Sequence, residues 1–173
     1  DFNLKGVSGE QISLKADMPN AKGYIVTFFC NHCPYVQAYE NRIIQLHKDL
    51  APEGYPVVAV NPNDPDIVPE DSYENMKERA IKEEYPFPYV IDETQEVAKT
   101  YGATRTPHVF LLDKQDDGKL QVAYIGTIDD NTENPEQVEQ QYVREAIQAL
   151  EADKSPDPAK TKAIGCTIKW SDQ

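Results

Sequence analysis

Residues 24–29, Tyr-Ile-Val-Thr-Phe-Phe, constrain this chain more than any other stretch. The run is β-branched and aromatic with no polar alternation, which is how a strand buried on both faces reads. Such a strand needs cover on either side, so the chain must supply helices for two outer layers. It runs into Cys30-Asn31-His32-Cys33, and Pro34 follows. Proline suits a first helical turn, where its missing N–H costs nothing. Val36, Tyr39, Ile43, Leu46 and Leu50 then recur at helical spacing until Pro52 and Gly54 stop the helix. A Cys-x-x-Cys therefore sits where a central strand turns into a helix.

The rest of the chain repeats the alternation. A short strand is predicted near residues 11–14, a second buried strand at 56–60 and a third at 89–91. Asp71 with Glu74 has capping-box spacing for a helix over 72–84. Asp92 with Gln95 caps another that ends at Gly102. Residues 108–112 and 120–125 form a predicted hairpin around Asp117-Gly118, and a last helix spans about 135–152. Alternating strands and helices predict parallel pairing, and the late hairpin adds an antiparallel edge. The expected fold class is α/β, a three-layer α/β/α arrangement around a mixed central sheet. A chain of 173 residues with no linker before its last stretch fits one domain over 1–173, with a tail, 153–173, packing on it.

Composition narrows function by exclusion. The net charge is −13, from 30 acidic and 17 basic side chains, and no basic stripe offers a phosphate backbone a foothold. No nucleic acid partner is expected. The longest apolar run, residues 24–30, is too short to span a bilayer. Three cysteines are too few for a disulfide scaffold. The chain opens at Asp1 without an initiator methionine, from trimming or loss of a leader. An exported, periplasmic form is favoured slightly over a cytoplasmic one, and the compartment stays open.

The chemistry concentrates at Cys30 and Cys33. At a helix start, unpaired backbone N–H groups and the positive dipole end favour a thiolate, the attacking species in disulfide exchange. Cys30 is the expected nucleophile. Cys33, one turn further in, is expected to be more buried and to displace a mixed disulfide by intramolecular attack. His32 either tunes the Cys30 thiolate or points into solvent. Metal binding competes, because Cys-x-x-Cys is also half of a zinc site and could hold copper with a histidine. Cys166, His47 and His108 are the further ligands on offer, but they form no second close pair. Haem attachment is excluded, since Pro34 rather than histidine follows Cys33.

Five stretches carry a resemblance. They are residues 27–36 (Thr-Phe-Phe-Cys-Asn-His-Cys-Pro-Tyr-Val), 60–64 (Val-Asn-Pro-Asn-Asp), 86–90 (Pro-Phe-Pro-Tyr-Val), 101–107 (Tyr-Gly-Ala-Thr-Arg-Thr-Pro) and 165–170 (Gly-Cys-Thr-Ile-Lys-Trp). Together they resemble the redoxin branch of the thioredoxin superfamily, nearest the peroxiredoxin-like group called alkyl hydroperoxide reductase/thiol-specific antioxidant. The segment 72–91 matches the helix–strand insertion that redoxins carry relative to a minimal thioredoxin. The resemblance implies a thioredoxin fold and a cis peptide at Thr106-Pro107 facing the cysteines. The Thr106 backbone would then be free to pair with an extended substrate segment. Read without the resemblance, Pro107 could equally begin a strand after a turn.

Two departures bear on peroxidase chemistry. Peroxiredoxins present Pro-x-x-x-Thr-x-x-Cys with a separate peroxide-positioning arginine; Thr27 stands in its place and Arg105 lies near the region of that arginine without a fixed alignment to it, but Gly23 replaces the proline. Cys33 is a thioredoxin-style partner that typical peroxiredoxins lack. The expected activity is thiol–disulfide oxidoreductase. Its machinery would be Cys30 and Cys33 as the redox-active couple, Thr27, His32 and Pro34 in support, and Thr106 and Pro107 docking substrate. Protein or small-molecule thiols and disulfides are the expected partners, with a protein dithiol exchanging electrons and no organic cofactor or metal required. Hydroperoxide reduction through Cys30 is the alternative, with Cys33 resolving the sulfenic acid. A copper or zinc module using Cys30, Cys33 and a histidine is the second.

The remaining candidates read as structural. Cys166 is either a second resolving thiol, if the tail folds back over Cys30, or a small apolar residue packing with Ile168 and Trp170. His47 belongs to the long helix, and His108 follows Pro107 near the site. Residues 113–118 read as a hairpin rather than a calcium loop. Asp64, Asp66 and Asp71 read as a solvated acidic loop, and Asp129-Asp130-Asn131 likewise.

Overall fold

The computed structural model describes residues 1–171. The central strand is β3 (Gly23–Phe28), and all six of its residues are buried. Before it come β1 (Leu4–Gly6), β2 (Gln11–Ile12) and a single-turn helix α1 (Leu14–Asp17). After it come α2 (Pro34–Leu50), β4 (Val57–Asn61), α3 (Tyr73–Lys82), β5 (Tyr89–Ile91) and α4 (Glu96–Tyr101). The chain continues through β6 (Arg105–Thr106), β7 (His108–Lys114), β8 (Leu120–Gly126), α5 (Tyr142–Glu151) and β9 (Cys166–Thr167).

Seven strands form one sheet in the order β2-β1-β5-β4-β3-β7-β8. β3, β4 and β5 run parallel, whereas β1, β7 and β8 pair antiparallel to their neighbours. The alternation of side chains along β3 separates two cores. Ile25 and Phe29 face Val36, Tyr39 and Ile43 of α2, Met76 of α3 and Val143 of α5. Tyr24, Val26 and Phe28 face Leu14, Ala98, Ala103 and, from the tail, Ile168. Burying each large apolar side chain contributes about 1.5–3 kcal/mol. The doubly covered sheet is the expected three-layer α/β/α arrangement with a mixed sheet.

Local signals held in some places and shifted in others. Pro34 opens α2 as expected, and Gly102, at φ 80°, closes α4. Residues 11–14 divide into a two-residue strand and the start of α1. The cap of α3 is Ser72, whose Oγ accepts the Asn75 N–H at 3.2 Å, rather than Asp71. Asp92 does serve the start of α4, accepting the Ala98 N–H at 2.8 Å. The last helix begins at Tyr142, because residues 135–137 form only a 3-10 turn. Asp71 corrects the reading of a solvated acidic loop: it is completely buried. Among the described residues, no helix is long and apolar enough to cross a membrane.

The tail is a structural element. Thr161 donates its N–H to the Ile125 carbonyl at 2.9 Å, so the chain first runs beside β8. It then crosses to β6, where β9 pairs antiparallel with Arg105↔Thr167 and Thr106↔Cys166 in register. Beyond β9, Lys169 donates its N–H to Asn63 Oδ1 at 2.9 Å, and Ser171 donates its N–H to Gln95 Oε1 at 2.9 Å.

Candidate active site

Phe29 extends β3 by one bond, donating its N–H to the Val60 carbonyl at 2.8 Å. The chain then turns through Cys30, Asn31 and His32 to Cys33, which caps α2 in extended conformation. Cys30 therefore lies three residues ahead of the helix cap rather than on the helix, a correction to its expected seat. The backbone N–H groups of His32 and Cys33 and the Thr106 hydroxyl still favour its thiolate. Burial opposes them and wins, and the Asp71 charge adds to it, pushing the Cys30 thiol up to about 11. Both Cys30 and Cys33 are fully buried, so burial does not separate them as expected.

The disulfide is a second correction. Cys33 is bonded to Cys166, 133 residues away in sequence, with Cα atoms 6.4 Å apart, and Cys30 is free. The Cys30–Cys33 bond inferred from the motif is absent from this state. Its physical reason is β9: strand pairing carries the tail cysteine to the mouth of the motif. The three sulfurs converge on Thr106. Cys30 Sγ lies 3.5 Å from its hydroxyl, Cys33 Sγ lies 3.5 Å from its carbonyl oxygen, and Cys166 is its strand partner.

Thr106-Pro107 is a cis peptide, as the resemblance implied, and Thr106 is buried. Its backbone edge is not free for a substrate, because the protein's own β9 occupies it. Gly165 permits this approach, since a Cβ there would overlap the Thr106 carbonyl.

Asp71 anchors the motif from the other side. Its Oδ1 accepts the Asn31 N–H at 2.7 Å, and its Oδ2 accepts from Asn63 Nδ2 at 2.8 Å. Asn31 is fixed further by Tyr89, whose hydroxyl donates to Asn31 Oδ1 at 2.8 Å. His32 Nδ1 lies 2.8 Å from Asp71 Oδ2, an ion-pair distance without hydrogen-bond alignment. The imidazole is one-third exposed, so it meets both solvent and the buried carboxylate.

The other sequence candidates fall on either side of the site. Thr27 is buried on β3, and its hydroxyl has no hydrogen-bond partner among the described residues. His47 Nδ1 accepts the Val57 N–H at 3.0 Å, a structural role. His108 Nδ1 accepts the Thr104 N–H at 3.2 Å; burial, then the positive charges of Lys160 and Arg105, lower its pKa to about 4. With Cys33 tied to Cys166, the metal set drawn from sequence is broken up. Ligand atoms of Cys30, His32 and Asp71 do lie within 4.8 Å of one another, a thiol, an imidazole and a carboxylate that could hold a borderline-soft ion such as zinc. Asp71 is the residue the sequence did not offer for this site. The spacing Asn61-x-Asn63 before a buried aspartate carries no recognisable motif, and only the folded loop brings it to Asn31.

The AhpC/TSA family model matches residues 1–123. The thiol–disulfide oxidoreductase ResA of Bacillus thuringiensis is 29% identical over 123 residues, 69% of this chain. The ResA of Geobacillus thermodenitrificans is 28% identical over 131 residues, 74% of this chain and 67% of its own length. The chain spans 63% of the length of the Bacillus relative. Among solved structures, an uncharacterized conserved protein from Geobacillus kaustophilus superposes with a TM-score of 0.88 at 38% identity, over 99% of this chain and 89% of the other. The pneumococcal exposed lipoprotein thioredoxin from Streptococcus pneumoniae has a TM-score of 0.59 at 24% identity, over 76% of this chain and 92% of the other, a likeness of fold. The fold is thioredoxin-like, and the chain belongs to the AhpC/TSA family.

Proposed function

We propose that this protein is a thiol–disulfide oxidoreductase of one redoxin domain, exchanging electrons with protein or small-molecule thiols and disulfides. Cys30 is the attacking thiol and Cys33 the resolving thiol. Thr106, next to Pro107, is the backbone edge along which a substrate segment lies, and His32, Thr27 and Pro34 support the motif. The observation that carries this reading is the convergence of the Cys30 and Cys33 sulfurs on Thr106, each at 3.5 Å from one of its oxygens. A substrate disulfide held on that edge would meet both thiols in turn. The relatives named thiol–disulfide oxidoreductase ResA support the same reading.

The site as it stands is closed, with Cys30 buried and its thiol protonated at neutral pH. Attack on a substrate then requires the edge at Thr106 to open and water to reach Cys30, which removes the dominant cause of its raised pKa. The peroxidase alternative has less support: Cys30 contacts the Thr106 hydroxyl, while the Thr27 hydroxyl has no hydrogen-bond partner among the described residues. The metal alternative loses Cys33 to the bond with Cys166 and, among the described residues, is left with Cys30 and His32 beside Asp71. Reduction of a model protein disulfide by the reduced protein tests the proposal. Cys30→Ser should abolish it, and retained turnover in that variant contradicts the assignment.

A further inference from the structure

We propose that Cys166 is the terminal thiol of a three-cysteine relay, delivered by a tail strand that sits on the substrate-docking edge. This deepens the thiol–disulfide reading and rests on it. Three observations carry it. β9 pairs with β6 so that Cys166 faces Thr106, the residue that both motif sulfurs touch. Cys166 is already bonded to Cys33, leaving Cys30 as the free thiol. The tail is held on both sides of β9: Gly165 packs against Thr106 too closely for any side chain, and Ile168 donates its N–H to the Thr104 carbonyl at 3.1 Å.

The sequence of bonds balances. Cys30 thiolate attacks a substrate disulfide, forming a Cys30–substrate mixed disulfide and releasing one substrate thiol. Cys33 thiolate attacks Cys30 Sγ, releasing the second substrate thiol and forming Cys30–Cys33. Cys166 thiolate then attacks Cys33 Sγ, forming Cys33–Cys166 and returning Cys30 as a thiol. Two electrons and two protons pass to the substrate, which leaves as two thiols. The product is the bonding pattern in the structure, with the docking edge covered by β9. A dithiol donor resets it by attacking Cys166, which is partly exposed, rather than the fully buried Cys33. The donor becomes a disulfide, Cys33 and Cys166 become thiols, and the tail is free to leave the edge.

The test is disulfide mapping of the full chain. Reduced protein is mixed with one equivalent of oxidised glutathione, quenched with an alkylating agent and mapped by mass spectrometry. The wild type should hold Cys33–Cys166 over Cys30–Cys33 by about tenfold or more, because strand pairing raises the effective concentration of Cys166 at Cys33. Cys166→Ser should stop at Cys30–Cys33. Gly165→Val keeps all three cysteines but forces β9 off Thr106, and should shift the ratio towards Cys30–Cys33 by about tenfold. Cys30–Cys33 as the final wild-type product overturns the relay and leaves the oxidoreductase reading standing. Equal yields of Cys33–Cys166 from Cys30→Ser protein also overturn it, since the bond would then form without Cys30. Failure of the wild type to release glutathione overturns both.

Discussion

The Asp71 carboxylate accepts the Asn31 backbone N–H at 2.7 Å, placing a fully buried acidic group inside the turn that carries the two motif cysteines. Its charge acts with burial to hold the Cys30 thiol at about 11. Asp71→Asn should therefore lower the Cys30 pKa. The cost is about 1–3 kcal/mol of stability, because an amide cannot satisfy both Asn31 and Asn63 as the carboxylate does. Cys30 is the free thiol of the oxidised protein, so the pH dependence of its alkylation reports the shift directly. An unchanged or higher midpoint contradicts the role given to Asp71.

In the oxidised, tail-closed protein, a thiol at about 11 in place of 9.0 has roughly 100-fold less thiolate at pH 8. Alkylation of Cys30 should be slower than that of a free cysteine by at least that factor. Reducing the Cys33–Cys166 bond should speed it markedly. Labelling followed by mass spectrometry of the Cys30 peptide checks both rates, and equal rates in the two states would remove the tail as the cover.

His108 sets an acid limit on stability. Its imidazole is held near 4 in the folded protein, against 6.5 as the ordinary value. The folded state binds fewer protons than the unfolded one in this range, so stability is full above pH 6.5 and falls as pH drops towards 4. The loss from this group is roughly 3 kcal/mol across that window. Urea denaturation at several pH values should show it in the wild type and much less of it in His108→Gln.

Glu40, buried on α2, accepts from Arg79 Nε at 3.0 Å and Nη2 at 2.9 Å and takes a further hydrogen bond from the Tyr85 hydroxyl. This ties α2 to α3 behind the cysteine turn. Glu40→Gln removes the buried counter-charge of Arg79, leaving it only the longer contact to Glu83 at 3.8 Å, and should cost about 3–5 kcal/mol. Chemical denaturation measures it, and a loss below 1 kcal/mol would show the pair to be solvated like a surface bridge.

The legible part of the fold was the part written in local pattern. The unbroken apolar run of β3, the proline opening α2 and the Asp117-Gly118 hairpin each follow from backbone chemistry within a few residues, and each is present. The site was half legible. Cys30, Cys33 and Thr106 do come together, but the sequence placed the disulfide between neighbours in the motif. What it could not convey was a two-residue strand 133 positions downstream of Cys33 in pairing range of β6. A strand that short has no periodicity to read, and its partner is fixed by tertiary packing around Ile168 and by bonds to Asn63 and Gln95. Asp71 was misread for the same reason. An aspartate in a proline-rich loop looks solvated until Asn31 and Asn63 are folded onto it.

In this mechanism Cys30 is the sulfur that meets the substrate. The direct measurement is made on the Cys33→Ser, Cys166→Ser double variant, in which Cys30 is the sole cysteine and neither resolving step can follow. Incubated with a disulfide-bonded model protein, it should accumulate a stable mixed disulfide, mapped by mass spectrometry to Cys30. A double variant that stays unmodified while Cys33 or Cys166 in the wild type captures the same substrate would contradict the account.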